Sequence, residues 1–230
     1  MPYLYETHMH TSEVSSCGRS TAAEQVRAYR DRGYTGVIVT DHFINGRCTC
    51  HGGLSWKEKM EYFASGFVKA KEAGDACGLS VFFAWEYTVK GDGGMKGFDF
   101  LTYGLGLDFL LAHPGVDALS LAAYSALVRS CGGCIVIAHP FRYAHQFDDE
   151  LPISPALLDG VEVYNASMPA EVNAKARAFA ERYGLPMQAG SDAHDVALPF
   201  ASGIRLDKKA ESAGHIMEAV RLGKAKLILP

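Results

Sequence analysis

His8 and His10 stand two residues apart, just beyond the apolar run Tyr3-Leu4-Tyr5. In an extended strand, positions i and i+2 share a face, so two imidazoles spaced this way can close on one cation. Asp192-x-His194 repeats the spacing near the other end of the chain. Three more ionisable sites follow apolar runs: Thr40-Asp41-His42 after Gly36-Val37-Ile38-Val39, Glu86 after Val81-Phe82-Phe83-Ala84-Trp85, and His139 after Ile135-Val136-Ile137-Ala138. One histidine after an apolar run is ordinarily a hydrogen-bonded structural residue. A whole set of strand ends carrying imidazoles and carboxylates is different, because burying them without a shared counter-ion would carry a large desolvation penalty. Divalent cations remove that penalty, so the set reads as a metal centre.

The elements that must position these groups alternate between short apolar strands and amphipathic helices, the pattern of repeated βα units. Strand one leads to His10. Thr21-x-x-Glu24 is a capping box opening a helix that runs to Gly33. Strand two is Val37 to Thr40. One long helix follows, with Met60, Phe63, Phe67, Ala70 and Cys77 on one stripe and Gly78 as its stop. Strand three closes at Glu86, and Tyr87 to Gly97, rich in glycine and charge, reads as a mobile loop over the site. Strand four is Phe98 to Tyr103, a helix spans about Leu119 to Ser130, and strand five delivers His139. Strand six is Val161 to Tyr164; a helix carrying Val172, Ala176, Phe179 and Tyr183 stops at Gly184. Strand seven, Met187 to Gly190, delivers Asp192 and His194, and Gly203 to Pro230 forms a strand-helix-strand closure. Seven strands with ligands at their carboxyl ends imply a closed or nearly closed parallel barrel, since an open sheet would spread those ends apart.

At 230 residues and 48% apolar content the chain fits one α/β domain spanning 1–230. The net charge of −4, with 22 basic against 26 acidic residues, offers no basic track for long nucleic acid. The amino terminus lacks a signal-peptide pattern and no apolar run approaches the ~20 residues of a membrane span, so the expectation is a cytoplasmic protein. Cys131-Gly132-Gly133-Cys134 has C-x-x-C spacing, but no second pair completes a zinc set, and it reads as structural. Cys48-Thr49-Cys50-His51 follows His42 on the loop side, where it borders the site or binds an extra ion.

Taken together, His8-Met9-His10-Thr11, Thr40-Asp41-His42, Glu86, Ala138-His139-Pro140 and Ser191-Asp192-Ala193-His194 resemble the PHP family, named for polymerase and histidinol phosphatase. The resemblance runs over nearly the whole chain. It implies a distorted (β/α)7 barrel, two or three divalent ions of zinc, manganese or iron, and hydrolysis of phosphate esters. By the same resemblance His8, His10, Glu86 and Asp192 match the ligands of a first metal, with Glu86 bridging, and His42 and His194 match a second. The family usually adds an Asp or His after the first motif; here Glu13 or Cys17 is available, and Glu13 is preferred for its hard carboxylate. His139 and Glu86 match a third metal, but the expected histidine near strand four is missing, leaving Asp99 or His113 as substitutes. Asp41 is expected to hold an imidazole N–H from behind.

The expected chemistry is a metal-bound hydroxide attacking the phosphorus of a small phosphorylated metabolite, such as histidinol phosphate or a nucleotide. Arg19 and Arg142, on loops beyond ligand-bearing strands, are candidate phosphate clamps. Asp192, Tyr143 and His145 are candidates for proton transfer to the leaving group. Two other readings are a nuclease acting on short oligonucleotides and a metal-binding regulatory module without catalysis. The oligomeric state is open.

Overall fold

The computed structural model describes residues 2–89, 97–143, 150–198 and 201–229. In chain order the elements are β1 (Tyr3–Met9), α1 (Ala22–Asp31), β2 (Gly36–Val39), α2 (Trp56–Phe63), α3 (Ser65–Cys77), β3 (Ser80–Phe83), β4 (Trp85–Val89) and β5 (Phe98–Tyr103). They continue with α4 (Leu107–Ala112), α5 (Leu121–Ser130), β6 (Cys134–Ile137), β7 (Gly160–Asn165), α6 (Ala170–Tyr183), β8 (Met187–Gly190), β9 (Gly203–Leu206), α7 (Ala213–Arg221) and β10 (Lys226–Ile228). Local chemistry starts the first helices: Thr21 with Glu24 and Ser55 with Glu58 form complete capping boxes, satisfying backbone donors that would otherwise be orphaned.

The mixed α/β architecture agrees with the alternating pattern, but among the described residues no single closed parallel barrel forms. Two five-stranded sheets form instead, ordered β10-β9-β1-β2-β3 and β4-β5-β6-β7-β8. β5 is antiparallel to both β4 and β6, and β9 is antiparallel to both β1 and β10. The physical reason at β5 is connection length. The chain from Val89 to Phe98 is too short for the crossover of a dozen or more residues that a parallel neighbour requires.

The sheets meet at two seams. At one, Met9 bridges Ala193 in parallel, with His10 N–H donating to the Ala193 carbonyl (2.9 Å) and Ala193 N–H to that of His8 (3.0 Å). At the other, His42 bridges Glu86, with Phe43 N–H donating to the Glu86 carbonyl (2.8 Å). The expected third strand is thus two strands, β3 and β4, parted at Ala84 and belonging to different sheets. The expected long helix is likewise two, α2 and α3, meeting at Ala64. Of the expected loop Tyr87 to Gly97, Tyr87 to Val89 belong to β4, and 90–96 lie outside the described residues.

Apolar side chains of Phe43, Phe63, Trp85 and Tyr87 pack into a buried cluster beneath the second seam, and Met9 with Ala193 joins another beneath the first. Side chains such as Phe43, Phe63 and Met9 each contribute roughly 1.5–3 kcal/mol on burial, which anchors both seams. Among the described residues no helix is long and apolar enough to cross a membrane.

Candidate metal centre

The ligand-type residues lie at and between the seams, and most are buried: His8, His10 and Glu86 are fully inaccessible, with Asp192, His42 and His139 nearly so. Four overlapping groups bring their donor atoms within 4.8 Å of one another: His8 with His10 and Glu86, His8 with His139 and Asp192, His10 with His42 and His194, and Glu86 with Asp99 and His139. Glu86 sits centrally. Its Oε2 is 2.8 Å from His42 Nδ1 and 3.3 Å from His10 Nε2, while Oε1 is 3.3 Å from His139 Nε2. Asp192 Oδ1 lies 3.2 Å from His10 Nε2 and 3.4 Å from His8 Nε2.

Partners behind the rings set the tautomers. His8 Nδ1 donates to Glu162 Oε1 (2.9 Å), and Glu162 Oε2 accepts from His139 N–H (3.0 Å) and the Asn165 amide (2.9 Å). Ser15 Oγ donates to Asp41 Oδ1 (2.7 Å), so it is free to accept from His10 Nδ1 (3.3 Å) and His42 N–H (3.1 Å). Asp41 therefore supports His10 through Ser15 rather than by direct contact. His8 Nε2 and His10 Nε2 face each other at 3.1 Å, an approach that either a proton on His8 or a cation coordinated to both rings relieves.

A second observation supports the same fit. His42 Nδ1 and Glu86 Oε2 are buried and close, yet not aligned as a hydrogen bond, and each lacks any hydrogen-bond partner. Buried orphaned atoms of this kind are costly unless coordinated. Imidazoles and carboxylates together suit zinc, manganese or iron.

Burial opposes charge on His8, but Glu162 and Asp192 outweigh it and hold the imidazole well above its ordinary range. His10 goes the other way: burial and the neighbouring His42 and His194 keep it neutral. Burial disfavours ionised Asp192 and Glu86, yet the surrounding histidines hold both carboxyls well below the usual range. The Cys17 thiol is lowered to about 6, with hydrogen bonds from His194 and His42 overcoming burial. Burial lifts Asp41 to about 6. His139 and Asp192 adopt positive φ, 29° and 51°, a sparsely populated conformation for residues with a side chain.

His8, His10, His42, Glu86, His139, Asp192 and His194 are all brought together. Glu13 is not. Its Oε2 accepts from Ala22 N–H (2.9 Å) at the amino end of α1, where a carboxylate is drawn to unpaired backbone donors, and Lys69 Nζ lies 3.8 Å from Oε1. Cys17 is the residue beside the cluster, its Sγ 3.0 Å from His194 Nε2. Asp99 joins Glu86 and His139, whereas His113 turns away and donates to the Phe109 carbonyl (2.7 Å). Arg19 and Arg142 line one cavity of about 370 Å³ with Cys17, Ser167, Asp192 and His194. Burial works against the Arg142 charge, but Asp192, Tyr143, Asp99 and Glu86 more than offset it. Tyr143 lies beside the Arg142 guanidinium, and His145 falls outside the described residues. The Cys48/Cys50/His51 segment and Cys131/Cys134 join none of the ligand groups among the described residues, and no cysteine is disulfide-bonded. Glu162 escaped the sequence reading, although a carboxylate inside Val161-Glu162-Val163 is a signal in itself.

The family model described as PHP-associated matches residues 170–197, from α6 through Asp192 and His194. No curated protein matches the chain. Among solved structures, a two-domain protein from Bacteroides vulgatus containing a predicted PHP-like metal-dependent phosphoesterase aligns at TM-score 0.68 and 16% identity, covering 100% of this chain and 65% of that one. This chain thus spans less than two thirds of that protein. A predicted metal-dependent phosphoesterase from Bifidobacterium adolescentis aligns at TM-score 0.57 and 19% identity, covering 96% and 98%. An amidohydrolase from Chromobacterium violaceum, solved with sulfate and no metal, aligns at TM-score 0.58 and 15% identity, covering 94% and 96%. At such identities the neighbours speak for the fold alone, and the PHP-associated match is confined to 170–197, the stretch that includes Asp192 and His194 of the buried His, Asp and Glu cluster.

Proposed function

We propose that this protein is a metal-dependent phosphoesterase that cleaves the monoester of a small phosphorylated metabolite, such as histidinol phosphate or a nucleotide. The observation that carries the reading is the cavity of about 370 Å³ in which Arg19 and Arg142 share the lining with Asp192 and His194. That volume suits a small ligand, and two guanidinium groups suit a phosphate. The sulfate in the Chromobacterium violaceum neighbour, a tetrahedral oxyanion, is compatible with this chemistry.

His8, His10, Glu86 and Asp192 would hold one ion, His42 and His194 a second, and His139 with Glu86 and Asp99 a third. Bound divalent ions supply Lewis acidity towards phosphoryl oxygens and lower the pKa of water. The chain's own groups do the rest. Glu162 and Ser15 fix His8 and His10 in the tautomer that presents Nε2, Arg19 and Arg142 orient the ester, and ionised Asp192 serves as a ligand or proton acceptor rather than as a proton donor.

The test is a screen of sugar, nucleotide and amino-acid-pathway phosphates on protein of measured metal content. Monoester turnover should exceed turnover of long DNA or RNA by a wide margin at equal metal loading, and Arg142→Ala should raise KM for the monoester. Efficient cleavage of long strands without monoester activity would favour the nuclease. No turnover of either by fully loaded protein would favour a regulatory module.

A further inference from the structure

We propose that Cys17 is a thiolate ligand of the metal position formed by His42 and His194, and that it biases this position towards zinc or ferrous iron over manganese. The inference rests on the metal-centre reading above. It begins with a shortage of donors, because Glu13 is committed to the amino end of α1 and leaves His10, His42 and His194 without a carboxylate from the segment after β1.

Cys17 fills that place by geometry. His194 Nδ1 donates to the Asp192 carbonyl (2.9 Å), which turns Nε2 towards Cys17 Sγ at 3.0 Å, a contact in which ring and sulfur share one proton. The turn bearing Cys17 is pinned on both sides: Ser16 N–H donates to the Arg47 carbonyl and Arg19 N–H to that of His194, each at 2.8 Å. It also folds tightly onto the chain after β1, since a Cβ at Gly18 would lie 2.6 Å from the Thr11 carbonyl oxygen. Independently, His42, a member of the same group, is 4% exposed and its Nδ1, facing Glu86 Oε2 at 2.8 Å, has no hydrogen-bond partner.

On coordination the S–H bond breaks, its proton leaves to solvent, and the sulfur lone pair forms the bond to the divalent ion; no electron is transferred. A thiolate favours borderline and softer ions, whereas manganese prefers oxygen donors.

Cobalt(II) reads both levels of the claim. The chelated full-length protein, titrated with cobalt chloride, should develop a sulfur-to-cobalt charge-transfer band in the near ultraviolet. Cys17→Ser should abolish the band and weaken one cobalt equivalent at least tenfold, while Cys48→Ser leaves it intact. Cys17→Asp should restore that equivalent without the band and raise the manganese-to-zinc preference at least tenfold. Full cobalt stoichiometry with no band, or a band that survives Cys17→Ser, would overturn the Cys17 assignment and leave the metal centre standing. Absence of any cobalt binding would remove the metal centre itself. A variant-free measurement guards against misfolding: in wild-type protein, zinc should protect Cys17 from alkylation, read by peptide mass spectrometry, and equal labelling with and without zinc would refute the proposal.

Discussion

Glu162 shows how one carboxylate behind a ring governs a ligand in front of it. It accepts from His8 Nδ1 and from the backbone N–H of His139, so it positions two ligand-bearing segments at once. Replacing Glu162 with Gln removes the charge that fixes the His8 tautomer; metal affinity should fall 10–100-fold with the fold retained, measured by chelator competition and circular dichroism. Glu13 makes the opposite case. Glu13→Ala should leave metal stoichiometry unchanged and lower stability by about 0.5–2 kcal/mol, as loss of a helix amino-terminal acceptor does, checked by urea unfolding beside metal analysis. The histidines and Asp192 were legible as a set, because so many imidazoles and carboxylates buried at strand ends call for a shared counter-ion. Glu13 and Cys17 were not separable from sequence, since the deciding fact is which of them the first helix captures.

At the scale of elements, most strands and helices were legible from period and punctuation, and their direction was not. β5 runs against its neighbours, so its first residues lie beside the last residues of β4, with Asp99 paired to Thr88. This reversal explains how Asp99 reaches Glu86 and His139 from the beginning of a strand, a position that a parallel barrel would put at the wrong end. The reversal also leaves Thr88 Oγ1 donating to Asp99 Oδ1 at 2.7 Å. Helix α3 carries a comparable constraint at Gly66. A Cβ there would sit 2.3 Å from Thr11 Oγ1 and 2.5 Å from Asp41 Oδ2, both inside the network that reaches His10 through Ser15. Gly66→Ala should therefore force α3 outward, cost about 1–3 kcal/mol, and weaken metal binding despite the higher helix propensity of alanine; thermal unfolding and metal titration together check this.

For the whole molecule, the consequence lies in which sheet supplies each donor. His8, His10 and His42 extend from strands of the sheet containing β1 and β2, whereas Glu86, Asp99, His139, Asp192 and His194 belong to strands, or follow strands, of the other sheet. The ion held by His8, His10, Glu86 and Asp192 and the one held by His42 and His194 would therefore each rivet two half-shells that are otherwise joined edge to edge by a few isolated bridges and the cores beneath them, whereas the Glu86, Asp99 and His139 position lies wholly on the second sheet. Ligand binding to the native state alone, at a hundred times its Kd, adds about 2.7 kcal/mol of stability, and here that gain would be concentrated at the rivets. Chelation should lower the melting temperature and accelerate amide hydrogen exchange first at His10, Phe43, Glu86 and Ala193, with the interiors of both sheets exchanging later. Uniform acceleration across both sheets would mean that the halves open as one body and that the ions clamp nothing between them.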